Sequence, residues 1–303
     1  MKFTRDYDKI LTMNKYDLNN LKVGERIELG WYPQSIVTDD DTIKALKEIC
    51  GKPKLSRGSL WKDYNYATGS GMYADINFSD KRYRVVYKKK HRDGEVYEFS
   101  DYPDGKIYIT LYEPILWRVL KITDNKAMIV SEKLIDGQEF SILKKRERKK
   151  AKINKNNYEY SFVRQWLNNE FFETAFNDIE KSAVETIVVC NAASTTRNEI
   201  NPYACNDTED KVSLLSFQEA KTLFENNKAR WKKVTEYAKM QGCFGYRTHD
   251  AKYDNSSWWL RSPHNKIETW VMEVGDGGGL HGFGSFDNCE AIKGIAPAVY
   301  IKI

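Results

Sequence analysis

Three late segments constrain the fold more than any other part of the chain: Trp258-Trp259-Leu260-Arg261-Ser262-Pro263, Thr269-Trp270-Val271-Met272-Glu273-Val274-Gly275, and residues 294–303. Each reads as a short strand of apolar and aromatic residues, and glycine-rich loops separate them. A chain with an apolar end and a polar, loop-dominated sequence closes its sheet with the last strand and displays its loops. The expectation is a binding surface carried on a small sheet.

Composition sets the limits of that reading. An apolar fraction of 41% that includes 13% aromatic residues supplies a real core, because each aromatic buries a large area. Charged residues at 30% give a well-solvated exterior, and 303 residues admit two ordinary domains or one elaborated domain. No window approaches the roughly 18 consecutive apolar residues of a membrane span. The start Met1-Lys2-Phe3-Thr4-Arg5-Asp6-Tyr7-Asp8 has no apolar leader core, so the expected location is the cytoplasm, with the surface or exterior reached only by a route the sequence does not display.

Cys50, Cys190, Cys205, Cys243 and Cys289 follow no C-x-x-C spacing, and an odd count fits plain thiols in a reducing compartment. A zinc site requires Cys and His at short spacings, and His91, His249, His264 and His281 are scattered. No metal or cofactor is therefore expected. Net charge is +5, and the run of residues 144–155 holds eight basic residues against one acidic. A smaller cluster is Lys88-Lys89-Lys90-His91-Arg92. Such runs mark either a solvated face or an anionic-surface patch. No aromatic residue interleaves the main run, which argues against base stacking and against nucleic acid as the partner.

Periodicity divides the chain at about residue 112. Residues 1–112 read as a strand- and loop-rich elaboration. Within it Ile27-Glu28-Leu29-Gly30-Trp31-Tyr32 alternates as a strand stopped by Pro33, and residues 43–49 form a short amphipathic helix after Asp39-Asp40-Asp41-Thr42. Further strand-like pieces are Tyr83-Arg84-Val85-Val86-Tyr87 and residues 107–112. In residues 113–303, Ile115–Leu120 and Ala127–Val130 flank a hairpin turn at Thr123-Asp124-Asn125-Lys126. Ser161 caps a helix whose apolar face is Val163, Trp166, Leu167, Phe171 and Ala175, and Ser216-Phe217-Gln218-Glu219 is a capping box. A third helix spans 232–241, ended by Gly242. Two or three helices on twisted antiparallel sheets with long loops, the outermost pairs coming from the hairpin and the last strand, make an α+β fold.

Four ordered motifs carry a resemblance: Trp31-Tyr32-Pro33-Gln34, Tyr112-Glu113-Pro114-Ile115-Leu116-Trp117-Arg118-Val119-Leu120, Ser161-Phe162-Val163-Arg164-Gln165-Trp166-Leu167-Asn168, and Trp258-Trp259-Leu260-Arg261-Ser262-Pro263. They resemble a bacterial domain family of unknown function, common in gut Firmicutes, whose pattern runs G-x-Y-P-Q, E-P-I-x-W-R-V-L, S-x-x-R-x-W-L-N, W-W-L-R-S-P-G and a closing G-V-R-P-A. The resemblance implies a C-type-lectin-like fold, shared with formylglycine-generating enzymes and with the variable proteins of diversity-generating retroelements. It implies fold by analogy and does not carry function. Two positions depart from the pattern: Ala296 stands where the family has arginine, and His264 where it has glycine.

The expected function is non-catalytic recognition of a protein or glycan by the C-terminal loops. The expected ligand-binding residues are Trp259, Arg261, His264, Trp270, Asp276, His281, Phe283, Phe286, Asp287 and Asn288. Tryptophan stacks on sugar rings or packs a core, and Arg261 grips an anion or closes an internal salt bridge. No catalytic residues are assigned: G-x-S-x-G, H-E-x-x-H and the P-loop pattern are absent, as are the Glu-Pro-Asn and Gln-Pro-Asp triplets of calcium-dependent lectins. A rival reading is a cysteine-dependent oxidase using Cys289 and Cys243 beside His281. A third is anionic-surface or nucleic-acid binding through residues 144–155.

Overall fold

The strand Ile107–Thr123 is the spine of the protein. Arg26–Ile36 pairs with its middle, Lys81–Lys88 with its beginning and Lys126–Ser131 with its end, all antiparallel. It therefore runs unbroken through residue 112, and the N-terminal strands share one sheet with strands from the C-terminal region. A computed structural model describes residues 20–63, 71–88, 102–123, 125–243, 254–280 and 286–303. Among these a nine-stranded sheet has the order Val212–Ser213, Ala298–Lys302, Lys126–Ser131, Ile107–Thr123, Lys81–Lys88, Gly71–Phe78, Lys62–Asp63. Arg26–Ile36 and Val184–Glu185 join it off this path.

A five-stranded sheet has the order Phe286–Asn288, Trp270–Val274, Trp258–Pro263, Ile292–Ile295, Asp136–Glu139. Its pairs are antiparallel except Trp258 beside Gly294, which is parallel. With a few short helices added, the protein is α+β. Among the described residues no helix is long and apolar enough to cross a membrane.

Local signals produce the elements they predict where partners lie close in sequence. Asp39 accepts from the Thr42 N–H at the start of Asp40–Cys50, and Ser161 accepts from the Arg164 N–H. Ser216 and Glu219 complete their reciprocal box at Phe217–Thr222. Helical residues run from 162 to 175, but the middle, Leu167–Phe171, is π-helical. Three expectations are corrected. Pro33 does not stop its strand, which continues to Ile36, because among the described residues that strand pairs on only one side, and an unpaired edge needs no N–H from proline. The last strand is not outermost; Ala298–Lys302 lies between Lys126–Ser131 and the short strands Val212–Ser213 and Val184–Glu185. The third helix is only Glu236–Met240, because residues 233 and 234 are extended and bridge Asn255 and Leu134.

Three hydrophobic clusters hold these layers together. One packs residues 162–176 on the large sheet around Trp117, Tyr32 and Phe171. A second, around Trp258, Met272 and Phe217, fills the space between the two sheets and Phe217–Thr222. A third seats Asp40–Cys50 on the N-terminal strands. Running between them is a buried polar network. Arg84 forms a bidentate pair with Asp75 at 2.8 and 2.9 Å and reaches the Tyr112 and Tyr237 hydroxyls at 2.8 and 3.1 Å. Nearby, the Tyr32 hydroxyl donates to buried Asp136 at 2.6 Å. These bonds tie the N-terminal strands to Glu236–Met240 and to the second sheet.

Candidate functional site

The C-terminal edge of the five-stranded sheet carries the site. Strand alternation sends Trp270, Met272 and Val274 to one face and Val271 and Glu273 to the other. Met272 lies opposite Phe286 and Trp270 opposite Asn288, so Trp270 and Phe286 are diagonal neighbours on one face. Their half-buried rings stack with centroids 5.0 Å apart and planes at 22°. His264, at the end of the neighbouring strand, adds a third ring, 4.8 Å from Phe286 and 5.7 Å from Trp270. Its Nδ1 accepts from the N–H groups of Lys266 and Ile267 at 3.3 and 3.2 Å, which puts the proton of neutral imidazole on Nε2. Burial, with Arg197 and Lys266 close by, lowers the pKa of His264 below its ordinary value.

On the opposite face Lys293 joins Glu273 at 3.2 Å and Asp287 at 2.8 Å. Burial pushes Glu273 up to about 7 despite that lysine. Sequence reasoning did not single out Lys293 or Glu273. The alternation of Val271 and Glu273 with Trp270, Met272 and Val274 was the signal that Glu273 leaves the aromatic face.

The ten residues chosen from sequence separate into distinct environments. His264, Trp270 and Phe286 come together. Asn288 pairs beside them and accepts the Glu290 N–H at 3.0 Å, while Asp287 sits on the reverse face. Asp276 is in the turn after Val274, where its carboxylate accepts the Gly277 N–H at 2.8 Å. Trp259 is corrected from ligand platform to core: at 0% exposure its ring meets Phe140 at 5.9 Å and its indole N–H donates to the Gln138 carbonyl. Arg261 is likewise internal, paired with Glu219 and donating to the Leu214 carbonyl at 2.7 Å. His281 and Phe283 lie outside the described residues.

Part of the glycine-rich stretch is anchored. Gly278 has φ +75°, and a Cβ there would lie 1.9 Å from the Asn227 carbonyl oxygen. Arg230 donates to the Gly278 carbonyl at 2.8 Å, so this turn is fastened to the segment beneath it.

The other sequence candidates have clear placements. Cys243 and Cys289 are both buried, in different hydrophobic clusters, and burial pushes each thiol up to about 12. All five cysteines are free, and Cys190 is exposed. Among the described residues no group of three or more His, Cys, Asp or Glu is arranged to hold a metal. The basic run forms the helix Lys145–Ala151, with no buried residue. It adjoins the aromatic edge: Arg148 pairs with Glu268 at 3.3 Å, and Asn156 donates to the carbonyls of Ile267 and Trp270 at 3.2 and 3.0 Å.

Residues 124–303 match a family model described as a domain of unknown function, DUF6273. No curated protein and no solved structure matches the chain.

Proposed function

The chain belongs to the DUF6273 family, a domain family of unknown function, and from that starting point we propose that it is a non-catalytic recognition module for a protein or glycan. The contact face is the edge formed by His264, Trp270 and Phe286, and the architecture is a C-type-lectin-like one. Two packed, mostly antiparallel sheets with long C-terminal loops support that architecture. The observation that carries the function is the ring cluster itself. Trp270 and Phe286 are half-buried and pack on the buried ring of His264, whose imidazole is kept neutral as an Nε2 donor. Such a surface stacks on a sugar ring or an aromatic side chain and offers it one hydrogen bond.

The chemistry of the buried thiols supports binding over redox catalysis. A working thiol must be a thiolate within reach, and Cys243 and Cys289 are held as thiols in separate clusters. A second reading is favoured by one observation, the basic helix Lys145–Ala151 beside the aromatic edge. It adds anionic groups to the ligands this edge accepts.

Capture on a glycan array and of lysate proteins, with wild type beside Trp270→Ala and Phe286→Ala, tests the proposal. Both variants are expected to keep their fold and lose capture. Capture unchanged in both folded variants refutes the aromatic edge as the contact face. Capture that ignores the rings but collapses with salt moves recognition to the basic helix.

A further inference from the structure

A cleft of about 650 Å3 opens between the N-terminal strands and residues 173–180, and none of the aromatic-edge residues lines it. A defect in strand Arg26–Ile36 shapes it. The register slips between Glu28 and Trp31, and Gly30 within the slip has φ +70°. A Cβ at Gly30 would lie 2.8 Å from the Ala175 carbonyl and 2.8 Å from the Phe176 ring, so only glycine lets the strand approach this closely. The Gly30 N–H donates to Glu180 Oε1 at 2.9 Å, which locks the strand to Asp178–Ala183. The bulge leaves Trp31 half-buried on the cleft wall while Gly30 and Tyr32 are buried.

The floor is Tyr112 and Phe176, both buried, and the Arg82 guanidinium lies 4.1 Å over the Tyr112 ring. Across the cleft, the two-residue turn Ser79-Asp80, both at positive φ, presents Asn77, Asp80 and Lys81 along the rim. Asn177 lies at the opposite rim. Charges here nearly cancel. Asp75 pairs with Arg84 and also lies 3.7 Å from Arg82, and Glu173 pairs with Lys181. With Arg84 and Lys181 counted, five wall carboxylates meet four cations, and two of the carboxylates also accept backbone N–H groups, Glu113 from Ser35 and Glu180 from Gly30 and Asn177.

We propose that this cleft is a second binding site and that its ligand is a neutral saccharide, independent of the C-terminal edge. The volume is within the roughly 300–1,000 Å3 of small-molecule sites. Trp31 offers a flat apolar face to the C–H side of a sugar ring. Carboxylate acceptors and amide or guanidinium donors sit on the same walls, and a hydroxyl is the one ligand group that serves both. A phosphorylated or sulfated ligand meets carboxylates it cannot pair, a polyamine meets Lys81 and Arg82, and an apolar ligand strands the polar lining without partners.

The test is binding to an array of neutral, sialylated and sulfated glycans, followed by titration of the strongest neutral hit. Wild type is compared with Trp31→Ala, Asn77→Ala and Trp270→Ala, each checked by circular dichroism. The expected result is neutral-glycan binding weakened about tenfold or more by Trp31→Ala, several-fold by rim-exposed Asn77→Ala, and unchanged by Trp270→Ala. Asn77→Ala decides the matter if Trp31→Ala does not fold. No neutral-glycan binding, binding only to anionic glycans, or neutral binding indifferent to folded Trp31→Ala and Asn77→Ala overturns the proposal. Neutral binding lost only in Trp270→Ala assigns the sugar to the C-terminal edge and also overturns the cleft.

Discussion

Replacing Arg84 by methionine tests the buried network most directly. The guanidinium is almost wholly enclosed and supplies two hydrogen bonds to Asp75, whose side chain is 14% exposed. Removing one partner of a buried pair costs about 3–5 kcal/mol, because the other charge is left without its counterion. Asp75 keeps the Tyr112 hydroxyl at 2.9 Å and Arg82 at 3.7 Å, so the lower end, about 3 kcal/mol, applies. The double variant Asp75→Leu/Arg84→Met leaves neither charge, and its cost falls below the sum of the single costs by about 2 kcal/mol. Urea denaturation followed by tryptophan fluorescence reads both numbers.

The pH dependence adds a check. Burial acts to raise Asp75, but Arg84 and its hydrogen bonds outweigh it and hold the carboxyl below the usual range. Stability from such a depressed carboxylate is present above its unfolded value, about 3.9, and is lost as pH falls through the lower folded value. The gap between wild type and Arg84→Met therefore narrows in acid. A single-variant cost below about 1 kcal/mol, or strict additivity in the double, refutes the reasoning.

Three further outcomes rest on the same geometry. Burial pushes Asp136 up to about 7, against the opposing Tyr32 hydrogen bond, so the folded state binds a proton that the unfolded state has released between about 4 and 7. Stability from this group falls as pH rises through that window, and Asp136→Asn flattens the melting-temperature profile there; an unchanged slope contradicts the assignment. Gly30→Ala combines left-handed backbone strain of about 1–2 kcal/mol with overpacking of about 1–3 kcal/mol against Ala175 and Phe176, and a urea midpoint close to wild type sinks that account. In native protein Cys190 reacts first with a thiol reagent such as Ellman's, since Cys50, Cys243 and Cys289 are buried, and Cys190→Ser removes the fast phase; a fast phase that survives this substitution shows that another thiol is open.

Elements that depend on neighbours within a few residues were legible from the sequence alone. The helix after Asp39, the caps at Ser161 and Ser216, the hairpin joining Ile107–Thr123 to Lys126–Ser131, and the strands Trp258–Pro263 and Trp270–Val274 all arise from spacing and side-chain chemistry. Helix caps and tight turns satisfy their hydrogen bonds locally, so their signals survive without the rest of the fold. Which aromatics face outward was settled by long-range packing. Trp259 and Trp270 look alike in sequence, and both strands lie within the sheet, yet Trp259 packs into the core cluster while Trp270, the first residue of its strand, faces Asn288 of the edge strand Phe286–Asn288. Pro33 read as a stop because sequence does not reveal that, among the described residues, its strand pairs on only one side. The cleft was invisible for the same reason: Trp31, Arg82, Tyr112 and Asn177 are far apart along the chain, and only pairing across the large sheet and the docking of Asp178–Ala183 on it bring them together. Burial and proximity are properties of the whole packed chain, and periodicity states which side chains share a face but not what covers it.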